Sequence, residues 1–176
     1  MDSPILETQK IKLRPVTSND YDMLYSWHFS TGQIHLWWDE RHIRSFDEFV
    51  NDFNNKLRYF FFTFFVVVKR EHETDIPVGF TYTSRFNPVD RYVYSTMYLD
   101  REFTGKGLGI EAGQIHIQYL FSVFNIRKIY AEIYEYNKIS IKAAKKAGFI
   151  EEARLKQHRW YIDRYWDLII MSLHRI

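Results

Sequence analysis

From Gln9 to Val16 the chain alternates, setting Ile11, Leu13 and Val16 against polar neighbours, with Pro15 near its end. That period of two predicts a half-buried strand. Thr17-Ser18-Asn19-Asp20 then offers capping oxygens, and Tyr21, Leu24, Tyr25 and His28 recur at helical spacing, which predicts a short amphipathic helix. Gly32 interrupts it. Ser45 and Glu48 have capping-box spacing, and Phe46, Phe49, Val50, Phe53 and Leu57 form the apolar stripe of a second helix. Tyr59 to Lys69 is nearly all apolar yet roughly half the length of a membrane span, so it reads as a central strand buried on both faces. A charged turn from Arg70 to Asp75 leads into a strand from Ile76 to Arg85, and Asn87-Pro88-Val89-Asp90 turns the chain into another, Tyr92 to Leu99. Leu108, Ala112, Ile115, Tyr119 and Val123 mark a long helix that Asn125 ends. Ile126 to Tyr136 alternates again. Asn137 caps a helix running to Ala147, where Gly148 stops it, and two strands, Phe149 to Trp160 and Tyr165 to His174, close the chain around a turn near Ile162-Asp163-Arg164. This order of about seven strands and about four helices predicts one α+β (mixed α/β) domain over residues 1–176, without repeat or linker.

Composition narrows the function classes. A chain of 176 residues suits one domain with a substantial core, and at 19% aromatic content many rings must pack or line a cleft. A net charge of +2, spread along the chain, argues against a nucleic-acid partner. No cysteine is present, so a disulfide scaffold and a thiol nucleophile are both excluded. The first residues lack a basic-then-apolar signal and no run is long enough to span a membrane, so the expected location is cytoplasmic. No His/Asp/Glu spacing points to a metal.

The chemistry is concentrated where the strand ending at Leu99 gives way to the helix starting at Leu108. Gly105, Gly107 and Gly109 let the backbone approach a ligand closely, and the first-turn amides of the helix point at whatever lies there, a site for a phosphate or pyrophosphate. A Walker loop would need Ser or Thr after Gly105-Lys106, and Gly107 stands there; the dinucleotide fingerprint has a different glycine spacing. The stretch Thr104-Gly105-Lys106-Gly107-Leu108-Gly109 instead resembles the acyl-CoA loop of the GNAT N-acetyltransferases, Gln/Arg-x-x-Gly-x-Gly/Ala, with Thr104 departing from its first position. Asn137-Lys138-Ile139-Ser140, then Ala144 to Phe149, resembles the family's Asn-x-x-Ser/Ala and Lys-x-Gly-Phe segment, and Asp163-Arg164-Tyr165-Trp166-Asp167 fits its late motif. The form is similar to the branch holding the RimJ/RimL ribosomal-protein and polyamine acetyltransferases. The resemblance implies a GNAT-like fold around a mostly antiparallel twisted sheet. It also implies acetyl-CoA as donor and direct transfer to a primary amine in a ternary complex.

By that resemblance, the cofactor's pantetheine arm pairs with Met97, Tyr98 and Leu99, and Asn137 lies near it. Lys106 and Lys146 read equally as phosphate partners or solvated lysines. Many relatives carry a tyrosine acid four residues before the Gly of Gly-Phe, where this chain has Ala144. Rim-type relatives use a serine that maps onto Ser140. Ser140 is therefore the first candidate to protonate the leaving thiolate, with Tyr134 and Tyr136 behind it. Glu132, Glu135 and Asp100 are possible ends of a water chain acting as base, and His35 or His42 could also serve. For the acceptor, Trp37, Trp38, Asp39 and Glu40 combine rings with carboxylates, and Trp160, Tyr161 and Tyr165 extend the wall, a set suited to a cation or amino sugar. The expected acceptors are a polyamine, an amino sugar or aminoglycoside, and a protein N-terminus. A non-catalytic acyl-CoA-binding module is the alternative, and a homodimer is compatible with exposed apolar strands.

Overall fold

The structure is a computed structural model that describes residues 6–29, 42–71 and 74–175. Trp37, Trp38, Asp39, Glu40 and His35 lie outside the described residues. The strands are β1 (Ile11–Pro15), β2 (Phe61–Arg70), β3 (Asp75–Asn87), β4 (Tyr92–Leu99), β5 (Lys128–Tyr134), β6 (Ile150–Tyr161) and β7 (Arg164–His174). The helices are α1 (Tyr21–Phe29), α2 (Phe46–Tyr59), α3 (Leu108–Val123) and α4 (Lys138–Lys146). The element order is the expected one, but several boundaries move: Tyr59, expected to open the central strand, is the last residue of α2, and β5 starts at Lys128 rather than Ile126. β3 runs on to Asn87, with Arg85 at φ 50°, and β5 stops at Tyr134, which leaves Tyr136 in the loop before α4.

The sheet order is β1-β2-β3-β4-β5-β7-β6, and every neighbouring pair is antiparallel except β4 with β5. Alternation along each strand sends side chains to opposite faces. On one face Phe64, Phe80 and Tyr98 pack against Leu24 and Trp27 of α1 and Phe49 and Phe53 of α2. On the other, Val67 and Val78 meet Leu108, Ala112 and Ile115 of α3, with Met97 and Leu99 packed alongside. A third cluster joins Val93, Ile129, Ile133 and Met171 to Leu120 of α3, with Ile141 and Ala144 of α4 against it. Local chemistry sets the helix starts: Ser45 and Glu48 form the capping box at α2, and Asn137 accepts from the Ser140 amide at 3.2 Å to cap α4.

Two histidines lie inside this core. His116 of α3 sits among threonines, with Nδ1 2.7 Å from Thr81 Oγ1 and Nε2 3.1 Å from Thr63 Oγ1. Because the Thr81 hydroxyl donates to the Thr96 carbonyl at 3.0 Å, its oxygen accepts from His116 Nδ1–H. Nε2 then accepts from Thr63, and the ring is neutral. Burial pushes its pKa down from 6.5 to about 3. His28 stacks on Phe80 with Nδ1 2.7 Å from the Leu24 carbonyl, and burial holds it at about 4.

Candidate active site

β4 and β5 pair only at their beginnings, where Tyr92, Val93 and Tyr94 stand opposite Lys128, Ile129 and Tyr130. Beyond that point each strand keeps its outer partner: β4 pairs with β3 as far as Leu99, and β5 with β7 as far as Tyr134. The two strands therefore diverge around an open gap with Ser95 to Leu99 on one side and Ala131 to Tyr134 on the other. The Asp100 amide donates to the Val78 carbonyl at 2.8 Å, and the Thr96 carbonyl accepts from Thr81 of β3. By alternation, the backbone groups of Thr96 and Tyr98 face β3 and those of Met97 and Leu99 face the gap. The Tyr98 carbonyl presses so closely on β3 that a Cβ at Gly79 would lie 2.2 Å from its oxygen.

The gap opens at the end of β4 onto the glycine loop. Asp100 caps a 3₁₀ turn, Arg101–Phe103, by accepting from the Glu102 amide at 3.2 Å, and its other oxygen accepts from Trp27 Nε1 at 2.8 Å. One carboxylate thus ties α1 to the start of the loop. Gly105 and Gly107 have φ of 77° and 82°, a region that favours glycine, and nothing stands within 4 Å of where a side chain would begin. Gly107 is the N-cap of α3, so the amides of Leu108 and Gly109 belong to the unpaired first turn while the Leu108 side chain is buried. The Thr104 hydroxyl donates to the Arg101 carbonyl at 2.8 Å. Lys106 Nζ lies 5.6 Å from the Phe103 ring. The result is an exposed concavity of backbone amides fit for a pyrophosphate.

The other candidates divide between neighbourhoods. Asn137 stands three residues past the end of β5, its amide bonded to the Tyr134 carbonyl at 2.9 Å, and Ser140 lies half-buried in the first turn of α4. Lys146 is exposed at the opposite end of that helix, and Ala144 packs into the core. Tyr134 is buried, and Arg159 Nη1 of β6 donates to its hydroxyl at 2.8 Å. Glu132 forms a two-pronged ion pair with Arg85 at 2.6 and 3.1 Å, and that guanidinium sits 3.4 Å above the Tyr94 ring. Trp160 and Tyr165 are exposed and meet edge to face. Between them and α4 lies an open groove of about 420 Å³ lined by Glu135, Tyr136, Lys138, Arg164, Tyr165 and Trp166. Sequence reasoning missed Trp27, Arg85 and Arg159. Each is tied to its site by a partner remote in the chain, so no local pattern marks it.

A family model described as an acetyltransferase (GNAT) domain matches residues 10–150. The chain belongs to the GNAT acetyltransferase family. As a GNAT member it is an acyltransferase with acetyl-CoA as donor. It is 25% identical over 170 residues to the spermidine N(1)-acetyltransferase of Escherichia coli K12, covering 93% of this chain and 85% of that protein. The spermidine N(1)-acetyltransferase of Vibrio cholerae is 22% identical over 159 residues, covering 90% of each chain. In fold the chain matches a crystal structure of the Vibrio cholerae spermidine N-acetyltransferase with CoA and spermine, at a TM-score of 0.85, 21% identity and coverage of 95% and 96%. RimL, a ribosomal L7/L12 α-N-protein acetyltransferase in complex with CoA, matches at 0.81 with 15% identity and 97% coverage of both chains. Acetyl-CoA fits this site on its own geometry: the gap offers the backbone of Met97 and Leu99, and the glycine loop offers open amides.

Proposed function

We propose that this protein acetylates a primary amine of a polyamine, spermidine foremost, and that the gap between β4 and β5 is where donor and acceptor meet. The gap carries the reading. In it, Met97 and Leu99 hold the donor's arm as an added strand would be held, and the amides of Gly107, Leu108 and Gly109 take its phosphates. The Thr104 side chain is already committed to Arg101, so the cradle relies on backbone rather than on a long side chain at that position. Asn137 and Ser140 border the same end of the gap.

The acceptor enters from the face of α1 and α2, the one that carries Tyr94, Tyr98, Tyr130 and Tyr134. Rings there and at the groove, with the carboxylates of Glu132 and Glu135, suit a chain bearing several ammonium groups. Trp37, Trp38, Asp39, Glu40 and Trp160 stay in the proposal as acceptor contacts. Water leading to Glu132 takes the proton of the attacking amine, and Ser140 and Tyr134 are the two hydroxyls proposed to serve the leaving sulfur. The spermidine acetyltransferases that cover nine-tenths of the chain support this acceptor class.

The test measures thiol release from acetyl-CoA with spermidine, spermine, aminoglycosides, amino-sugar nucleotides and N-terminal peptides. Turnover confined to the polyamines is the expected result; turnover only on peptides or amino sugars overturns the acceptor. Amide hydrogen exchange checks the gap itself. On adding acetyl-CoA, Met97 and Leu99 gain protection while Tyr98, already bonded to β3, changes little. Binding and protection without turnover on any amine would favour the non-catalytic acyl-CoA module that Ala144 motivates.

A further inference from the structure

We infer that Tyr134 is the acid that protonates the departing sulfur, and that Arg159 is the positioning residue that holds its hydroxyl for this task. The inference rests on the acetyltransferase reading above. Ala144 packs into the core where many relatives carry their tyrosine acid, so the proton must come from elsewhere. Continuing the parallel register of β4 and β5 four residues past the Tyr94–Tyr130 pair brings Tyr134 level with Tyr98, across the gap from Met97 and Leu99. Tyr134 has the same parity as Tyr130, whose ring stacks on Tyr94 at 5.0 Å, so it faces the acceptor side.

Arg159 reaches Tyr134 from the far side of β7, which lies between β5 and β6. Arg159 is 7% exposed, and its guanidinium donates to the phenol oxygen at 2.8 Å and lies 4.4 Å from the ring centre. A guanidinium has donors only. It can occupy a lone pair of the phenol but never accept its proton, which must be directed elsewhere. The pairing also corrects an energetic mismatch. A phenol ionises near 10 and a thiol near 8.5, so proton transfer from one to the other's anion runs uphill by about 1.5 units unless the phenolate is stabilised. A cation in hydrogen-bond contact supplies that stabilisation. Tyr136 stacks on the same ring at 5.5 Å, while the carboxylate of Glu135 is engaged with Lys138 and Arg154.

A late acidic residue sets the reach of Arg159. Between the Leu155–Leu168 and Arg159–Trp166 pairs, β6 spends four residues against two of β7, a bulge with Gln157 at φ 49°. Asp167 pins it, its Oδ1 accepting from the Gln157 amide at 3.0 Å and its Oδ2 from Lys156 at 3.0 Å and Arg154 at 3.3 Å. In the reaction, the N–C bond forms as the C–S bond breaks. Tyr134 gives its proton to the sulfur, the acceptor nitrogen's surplus proton passes to water, and the phenolate regains a proton from solvent.

The experiment compares Tyr134→Phe, Arg159→Met, Arg159→Lys, Ser140→Ala and the Tyr134→Phe/Arg159→Met double variant with the wild type. Thiol-release kinetics use acetyl-CoA and spermidine, and a carbon-13 NMR titration of the tyrosine rings uses the free protein. Tyr134→Phe is expected to lower kcat about 100-fold with the KM for acetyl-CoA little changed. In Arg159→Met the pH at which the Tyr134 ring ionises rises by about one unit or more. kcat falls in that variant too, the lysine variant recovers part of it, and the double variant is no slower than Tyr134→Phe. Unchanged kcat in Tyr134→Phe, or a loss of that size in Ser140→Ala alone, overturns the assignment. An unmoved Tyr134 titration in Arg159→Met overturns the role of Arg159. Should the Arg159 variants fail to fold, Tyr134→Phe, which deletes one hydroxyl, still decides the acid. A wild type that turns over no amine overturns the acetyltransferase reading itself, a result distinct from the others.

Discussion

Acidification should destabilise this protein well before its carboxylates titrate, because two buried histidines resist protonation. In the folded state burial holds His116 at about 3 and His28 at about 4, against 6.5 in the unfolded chain. A folded pKa below the unfolded one means that the unfolded chain binds more protons between the two values. The associated stability is complete above pH 6.5 and is lost as the pH falls toward about 4 and about 3. At pH 5 both rings are still neutral when folded, and the unfolded rings have gained about 1.5 units of driving force, or about 2 kcal/mol each. The free energy of unfolding is therefore expected to drop by about 4 kcal/mol between pH 8 and pH 5, a large part of a typical domain's 5–15 kcal/mol. Urea melts at half-unit intervals over this range measure it. His116→Gln, whose amide can still bridge Thr63 and Thr81, should halve the slope whatever it does to absolute stability. A flat profile from pH 8 to pH 5, or an unaltered slope in that variant, would refute the assignment of neutral buried rings.

Three further substitutions have outcomes fixed by geometry. Gly79→Ala places a methyl 2.2 Å from the Tyr98 carbonyl and 3.0 Å from the Leu99 Cα, so β3 and β4 must separate. A loss of about 2–3 kcal/mol in chemical denaturation is expected. Gly107→Ala meets no neighbour within 4 Å but must adopt φ 82°, so it costs about 1–2 kcal/mol; calorimetry should show weaker acetyl-CoA binding as well. Ile162→Asn acts the other way: Ile162 is 68% exposed at φ 43° in the turn between β6 and β7, where asparagine is far better tolerated, and the melting temperature should rise by roughly 2–4 °C.

Local physics explains which parts of this molecule were legible in the sequence. Alternation and helical spacing depend on neighbours a few residues away, so the order of strands and helices could be read directly. The glycine loop was legible because Gly105 and Gly107 answer to their own backbone dihedrals. The gap was not, since Ser95 to Leu99 and Ala131 to Tyr134 are ordinary strand residues and only their partners, β3 and β7, hold them apart. Tyr98 illustrates the limit. Its side chain could be assigned to the face opposite Met97 and Leu99, but that its backbone is committed to β3 required the register. Arg159 stands in the polar run Lys156-Gln157-His158-Arg159, and nothing in that run reveals that a bulge delivers it, buried, to Tyr134.

An open ladder inside a sheet leaves strong donors and acceptors facing one another without direct bonds, so its walls must be held by something else. Here each wall is anchored from outside and from above. β4 is bonded to β3 along its length, and its Met97 and Leu99 side chains are packed under α3, while β5 is bonded to β7 as far as Tyr134. Neither strand can swing inward to close the gap without breaking the outer ladder, which would replace one set of unmade bonds by another. The same anchoring accounts for the division of labour at the site. With β4 fixed, its alternation sends side chains into two cores and leaves the gap-facing backbone of Met97 and Leu99 available to a ligand. With β5 fixed by β7, Arg159 of β6, one strand further out, reaches across to bond the Tyr134 hydroxyl. A tyrosine acid on α4 would depend on how the helix packs over the sheet, whereas one on β5 depends on the sheet itself. On the proposal that Tyr134 is the acid, Ala144 can stay in the core because the proton donor is positioned by strand pairing.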